Sequence, residues 1–387
     1  MLLFEFEAKS VFAENGIPVP DARLVSDVTQ LEDAVRRLGD AVVIKAQVLS
    51  GGRGKAGLVI KADGLQAASQ AFTRILGARA GEETVKRVLV EQQVAHDREI
   101  YLAITIDSNA SRPMLLLSCK GGIDIEAIAD ADPGTIGRLL IDPRIGPQAY
   151  QVRHLAGEVG IESGLALKLG VFAQGLWGAF VGSQLILAEI NPIAVTLEGA
   201  LVALDAKAEI DGYVAARQNR FDVESHLTGE TTTERRAREA GLSYLEMEGN
   251  IGIAGNGAGL MMLIVDMLSR RGLTPANFCD AGGAVARPGS GGGAIDWWAD
   301  VIEIVLSNPK VEALYFNLHG GNHRGDEVAT GLLKGLEQAG RRVPTVVRIS
   351  GTREAEGREI LAAAGITSHV SLSEAIDALA AISETRR

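Results

Sequence analysis

Residues 185–207 read LILAEINPIAVTLEGALVALDAK. Two strand-like runs, 185–195 and 200–207, flank Leu197-Glu198-Gly199. A three-residue loop ending in glycine is a favoured hairpin connection, because its last position takes a left-handed backbone. In that register Thr196 pairs with Ala200 and Val195 with Leu201, and its continuation sets Asn191 opposite Asp205. Glu189 and Asn191 lie two apart on one strand and so share a face. Glu189, Asn191 and Asp205 therefore converge on a hairpin otherwise built of Ile, Leu, Val and Ala. Two carboxylates and an amide gathered there are costly without a cation. Such oxygen ligands suit Mg²⁺, which takes one or two protein ligands and completes its shell with nucleotide phosphates. The alternative is a face that is simply wet.

Upstream, residues 43–57 read VIKAQVLSGGRGKAG. Lys45 lies on a predicted strand, from which its ammonium can reach a phosphate as a point charge. Gly51, Gly52, Gly54 and Gly57 let backbone N–H groups approach phosphate oxygens closely. Arg53 and Lys55 add positive charge. The loop lacks the GxxxxGK[ST] pattern of a Walker motif, and read alone it also fits a solvated surface hairpin. Next, VLVEQQVAHDRE at 88–99 places Glu91 at the end of one strand and Glu99 at the start of another. Glu91 can accept from ribose hydroxyls, orient a lysine, or stand as a solvated charge.

Around these motifs the first half mixes helices with strands. Residues 4–14 form a helix closed by Asn15-Gly16, with Pro18 and Pro20 blocking any restart. Glu5, Glu7 and Lys9 interrupt its apolar residues, which excludes a signal peptide. Strands are expected over 41–47, 58–62, 87–93, 98–106 and 113–119, and a helix over 163–181. Residues 213–248 turn polar and charged, which places a linker at 226–247 between domains of residues 1–225 and 248–387.

From residue 250 strands and helices alternate. Strands at 250–255, 275–280, 311–318, 344–349 and 366–370 interleave with helices at 259–271, 295–306, 327–338, 354–364 and 373–381. That alternation predicts an α/β, doubly wound parallel sheet, whose ligands bind beyond the carboxyl ends of the strands. The turns GNGAG (255–259), DAGGAVARPGSGGG (280–293) and HGGNHRGD (319–326) sit at those ends.

The chain has 387 residues, 47% hydrophobic and 22% charged, which fits two or three globular domains. A net charge of −11 argues against general binding to nucleic acid or anionic membrane. No apolar run is expected to span a bilayer. Cys119 and Cys279 form no CxxC pair and suit a reducing, cytoplasmic setting.

The order and spacing of these motifs resemble the β subunit of succinyl-CoA synthetase (ADP-forming) and its relatives. The likeness runs from FEAKSVFAENGIPVP (6–20) through K-x-Q-V-x-x-GGRGKAG, E-I-N-P and L-D-A-K. It continues in LEMEGNIGIAGNGAGL (245–260), PANFCDAGG (275–283) and FNLHGGNHRGDEVATG (316–331). The resemblance implies an N-terminal ATP-grasp domain followed by a flavodoxin-like domain. It implies that Lys45, Gly52, Arg53, Gly54, Glu91, Val94 and Glu99 contact ATP or ADP, and that Asn191 and Asp205 hold Mg²⁺. Glu189 would face a phosphohistidine on a partner α subunit, which also carries most of the CoA site. Asn256 and Gly321-Asn322-His323 would contribute to the acid site. Pro20 stands where adenine-specific members carry proline, which favours ATP over GTP.

Two features depart from the family pattern. The turn reads His319-Gly320-Gly321-Asn322-His323-Arg324, where an apolar residue usually follows the second glycine. The turn at 282–293 is extended. Both put a succinate site in question and open a hydroxylated or larger dicarboxylic or tricarboxylic acid, as in malate–CoA and citryl–CoA ligases; the alternative is that Asn322 and His323 face solvent or the partner subunit. A stand-alone ATP-grasp ligase and a nucleotide-sensing subunit are the competing readings. The first leaves the C-terminal domain unexplained. The second predicts erosion at Lys45, Glu189, Asn191 or Asp205, all of which are intact.

Overall fold

The computed structural model describes every residue except 82, 123–124, 126–132, 216, 218–219, 223–225, 227–229, 283–292 and 385–387. The chain divides into two compact units, Met1–Gly229 and Glu230–Arg387.

The first unit opens with helix α1 (Glu5–Glu14). There follow β1 (Ala22–Val25), α2 (Val28–Leu38), β2 (Ala41–Ala46), β3 (Val59–Asp63), α3 (Gly64–Ile75) and β4 (Val88–Gln92). These strands form an antiparallel sheet in the order β1-β4-β2-β3. Helix α2 buries Leu31, Ala34, Val35 and Leu38, one face at helical spacing, and Asp27 caps it by accepting from Gln30 N. That face packs with Phe72 and Ile75 of α3 over Val42, Ile44, Val88 and Val90.

A second sheet follows from β5 (His96–Asp107), β6 (Arg112–Ser118), β7 (Gly137–Leu140), β8 (Leu185–Thr196), β9 (Leu201–Ala203) and β10 (Lys207–Ile210). Its order is β9-β8-β5-β6-β7, with β10 also paired to β8. Helices α4 (Ala149–Glu158) and α5 (Ser163–Gly182) lie between β7 and β8 in the chain. Contrary to the expectation that no run is that long, α5 is long and apolar enough to cross a membrane. Here it is a core helix, with Leu165, Leu169, Phe172, Leu176 and Phe180 buried in the cluster that covers the second sheet.

The second unit carries α6 (Thr232–Glu239), β11 (Ser243–Glu246), β12 (Ile251–Gly255), α7 (Ala258–Arg270), β13 (Asn277–Asp280) and α8 (Ala294–Ser307). It ends with β14 (Ala313–Gly320), α9 (Gly325–Gln338), β15 (Thr345–Gly351), α10 (Glu354–Ala363), β16 (Ser368–His369) and α11 (Leu372–Glu384). The sheet runs β11-β13-β12-β14-β15-β16. Strands β12 to β16 are parallel, in the flavodoxin-like order 2-1-3-4-5. The linker expected at 226–247 is corrected here. Most of it folds into the second unit: α6 is closed by a Thr231–Glu234 capping box, and β11 pairs antiparallel with β13. Charged residues there mark a solvated helix face rather than a tether.

Candidate functional site

The hairpin keeps the register read from its loop. Val195 pairs with Leu201, Ala194 with Val202 and Ile193 with Ala203, and Gly199 takes φ 74°. The second arm is not one strand over 200–207. It breaks at Leu204-Asp205-Ala206 and resumes with Lys207 opposite Glu189. Pro192, which has no N–H to give, lies within the gap, and its carbonyl accepts Leu204 N at 3.0 Å. Because the register is the same on both sides, Asn191 stands opposite Asp205, as expected. The break turns Leu204 O and the Asp205 carboxylate away from the ladder.

Both groups meet cations from the first sheet. Lys45 Nζ donates to Glu91 Oε1 at 2.8 Å, Glu5 Oε1 at 3.0 Å and Leu204 O at 2.5 Å. Arg53 donates to Glu5 Oε2 at 2.6 Å through Nη1, and to Asp205 Oδ1 at 2.7 Å through Nη2. Lys9 completes the cluster, donating to Glu91 Oε2 and to Leu204 O, and pairing with Glu5 at 2.9 Å. Three cations thus face three carboxylates, and all but Arg53 and Asp205 are buried. Glu91 bonds both Lys9 and Lys45 and is 2% exposed, so it is not a solvated charge.

The cluster sets its own protonation. Burial works against the Lys45 ammonium, but Glu5, Glu91 and Asp205 outweigh it and hold its pKa above the usual lysine value. Burial likewise opposes the Glu5 carboxylate, yet Lys45, Lys9 and Arg53 hold it well below the ordinary range. Lys9 goes the other way: burial, with Lys45 as a neighbour, lowers it despite Glu5 and Glu91.

Glu99 and Asn191 approach each other through Gly122. Gly122 N donates to Asn191 Oδ1 at 2.7 Å, and a Cβ at Gly122, where φ is 70°, would lie 2.0 Å from Glu99 Oε2. His96 donates from Nδ1 to Val94 O at 2.9 Å, and its Nε2 lies 3.0 Å from Glu99 Oε1. Gly52 and Gly54 are exposed in the loop after β2, where their carbonyls close turns with Ala56 N and Gly57 N. Glu189 sits half-buried on the Asn191 side of β8.

The donor set can be weighed against Mg²⁺. Among the described residues no group of three His, Cys, Asp or Glu side chains could hold a metal alone. One amide and one carboxylate fit a Mg²⁺ whose other ligands are phosphates and water. Asp205 is 41% exposed, and its hydrogen bonds use Oδ1.

The second unit places its candidates at the carboxyl ends of β12 and β14. The Asn256 amide copies a strand neighbour: Nδ2 donates to His319 O at 2.7 Å and Oδ1 accepts His319 N at 2.8 Å. Gly321 and Asn322 are exposed, and Gly321 O accepts from Thr352 Oγ1 at 3.2 Å. His323 does not stand free in the turn. Its ring stacks on Trp297 at 6.3 Å and meets Trp298 edge-on at 5.2 Å, and burial lowers its pKa. Its Nε2 is buried without a hydrogen-bond partner among the described residues. The N-terminus of α9 carries Asp326 and Glu327, with Asp326 bonded to Arg324 and Arg353. Residues 283–292 of the extended glycine-rich turn lie outside the described residues.

The motifs singled out Lys45, Arg53, Glu91 and Asp205, which meet here, but missed Glu5, Lys9 and Gly122. The available signal for Glu5 and Lys9 was an acid and a base four apart in an apolar helix, spacing that puts them on one face.

Known proteins match along the whole chain. The ATP-grasp domain family matches residues 2–195 and the CoA-ligase family residues 255–382. A succinate–CoA ligase (ADP-forming) β subunit from Rubrobacter xylanophilus is 40% identical over 94% of this chain and 92% of its own. The protein of the same name from Roseiflexus sp. is 37% identical over 100% of both chains. Among solved structures, ATP citrate lyase from Methanothrix soehngenii shares the fold, with a TM-score of 0.71, 20% identity and 95% of both chains covered. The chain belongs to the family of succinate–CoA ligase (ADP-forming) β subunits, acid–thiol ligases that join an ATP-grasp domain to a CoA-ligase domain.

Proposed function

We propose that this chain is the nucleotide-binding subunit of an acid–CoA ligase that splits ATP to ADP and passes the phosphoryl group to a histidine of a partner α subunit. The observation that carries the reading is the convergence of Lys45 and Arg53 with Asp205 beside the hairpin break. Lys45, Arg53 and the amides around Gly52 and Gly54 hold the phosphates, with Val94 and Glu99 on the nucleoside side and Glu91 holding Lys45. Asn191 and Asp205 hold Mg²⁺, which would offset charge on the transferring phosphoryl group. Arg53, which pairs with Asp205 Oδ1 here, would be available to a bound phosphate, and Asp205 to Mg²⁺. Glu189, on the same strand face as Asn191, meets the partner's phosphohistidine.

The acid is a hydroxylated or larger di- or tricarboxylate, bound in part by Asn256 and the turn Gly321-Asn322-His323. The Nε2 of His323, unpartnered among the described residues, favours this over succinate. With its pKa lowered, the imidazole is neutral near pH 7 and can accept from or donate to a hydroxyl. The CoA site lies mainly on the α subunit, and the setting is the cytoplasm.

The test is reconstitution. The purified chain should bind ATP with Mg²⁺ yet form no CoA thioester. Candidate α subunits, added with a panel of succinate, malate and citrate, should restore synthesis. Steady thioester formation by the isolated chain would overturn the two-subunit reading.

A further inference from the structure

We infer that Glu5 and Lys9, an i,i+4 pair on helix α1, are positioning residues that hold Lys45 and Arg53 in place for the nucleotide. The inference rests on the nucleotide reading above. Glu5 uses both of its oxygens: Oε1 faces Lys9 at 2.9 Å and Lys45 at 3.0 Å, while Oε2 accepts Arg53 at 2.6 Å. The carboxylate is itself anchored. Gln47 Nε2 lies 3.4 Å from Glu5 Oε2, and Gln47 Oε1 accepts Phe6 N at 3.1 Å, tying the strand segment back to the helix. Lys9 bonds Glu91 on the first sheet and Leu204 O in the break beside the second. One turn of α1 therefore sets how the cations of one sheet stand to the hairpin of the other.

A purely structural role explains less. Buried ion clusters are weak evidence of stability, since apolar packing of similar volume often does as well. Here two of the three cations are the ones that would meet phosphate. A long lysine or arginine that is already held loses less freedom when its ligand arrives. The cluster also balances: Lys9, Lys45 and Arg53 stand against Glu5, Glu91 and Asp205. Neutralising Glu5 alone leaves one surplus positive charge there and removes the one carboxylate that Lys45 and Arg53 share among the described residues.

The test measures ATP affinity in the presence of Mg²⁺, with melting temperature beside it, for the full chain. The variants are Glu5→Gln, Glu5→Asp, Lys9→Met, the Glu5→Gln/Lys9→Met double and Lys45→Ala. Outer-shell partners of a site are typically worth about 10–100-fold, so Glu5→Gln should weaken ATP by at least about tenfold. Glu5→Asp should recover part of that loss. The double variant removes a cation and a carboxylate together. It should melt closer to wild type than Glu5→Gln does, yet still bind ATP about tenfold more weakly. Wild-type affinity in the double variant would show the pair to be structural and overturn the inference. Should the uncharged variants not fold, Glu5→Asp decides, and wild-type affinity there is the overturning result. Lys45→Ala separates the two claims: if it binds ATP normally, the nucleotide site itself is misassigned.

Discussion

In the first unit, Lys45 and Arg53 are held by carboxylates from α1, from β4 and from the break after β9, in one cluster that is buried except at Arg53 and Asp205. In the second, Asn322 stands exposed and His323 lies against two tryptophans with one ring nitrogen unpartnered among the described residues. The first site is charge-balanced before any ligand arrives. The second offers an imidazole nitrogen that the described residues do not satisfy. Substitutions in the first should therefore cost stability and binding together. Substitutions in the second should change selectivity and leave the fold alone.

The sharpest break of that contrast is Lys45→Met. It removes a cation that both Glu5 and Glu91 face in a buried setting. Removing one partner of a buried pair costs about 3–5 kcal/mol. We expect a marked fall in melting temperature and a loss of ATP affinity of about 100-fold or more, since the proposed charged phosphate contact goes as well. Calorimetric titration and thermal unfolding measure both. An unchanged melting temperature would mean that the cluster is not the balanced unit described.

Asp205→Ala tests the same site at its wet edge. Arg53 retains Glu5 as a partner, so no cation is left alone. The fold should persist, while Mg²⁺-dependent nucleotide turnover falls about 10–100-fold. Wild-type turnover in this variant would refute the metal assignment.

The comparison also explains what the sequence could show. The parallel, doubly wound sheet of the second unit was legible because its parallel strands are short apolar runs between helices of clear period, whereas the order of those strands was not. The hairpin register was legible because Gly199 admits one loop geometry. The break at Leu204-Asp205-Ala206 was not, since it depends on which carbonyl two lysines from elsewhere capture. Glu5 and Lys9 read as charges in an apolar helix until the cations of the loop came to meet them. The 226–247 segment was misjudged for the opposite reason: its charges are real, but a capping box and strand pairing outweigh them. His323 read as a turn residue because nothing local announces Trp297 and Trp298, which approach it from another helix.

Asn322→Ile probes the second site. The family turn carries an apolar residue here, and a polar site rejects a substrate that leaves its groups unpaired. With the α subunit supplied, the wild type should prefer malate or citrate, and the variant should shift kcat/KM toward succinate by about tenfold. Melting should move by less than about 0.5 kcal/mol, as for a surface change. An unchanged order of preference would sink the specificity proposal.

The smallest expected effect separates two histidines, one in each unit. Burial opposes the charge on His226, but its bonds to Glu7 Oε2 at 2.6 Å and to Asp222 O at 2.7 Å outweigh burial and raise its pKa above 6.5. His323 meets only burial among the aromatic rings, and its pKa falls below 6.5. The linkage signs are opposite. His226 binds its proton more tightly folded than unfolded, so its stabilisation is full below about 6.5 and is lost as pH rises through its folded value. His323 binds its proton less tightly when folded, so stability is full above about 6.5 and declines as pH falls toward its folded value. Imidazole NMR titrations, assigned with His226→Phe and His323→Phe, should place the two midpoints on opposite sides of the free-histidine value. Glu7→Gln should bring the His226 midpoint down and leave His323 where it was. Coincident midpoints in the wild type would mean that the tryptophan contacts and the Glu7 bond do not distinguish the two rings.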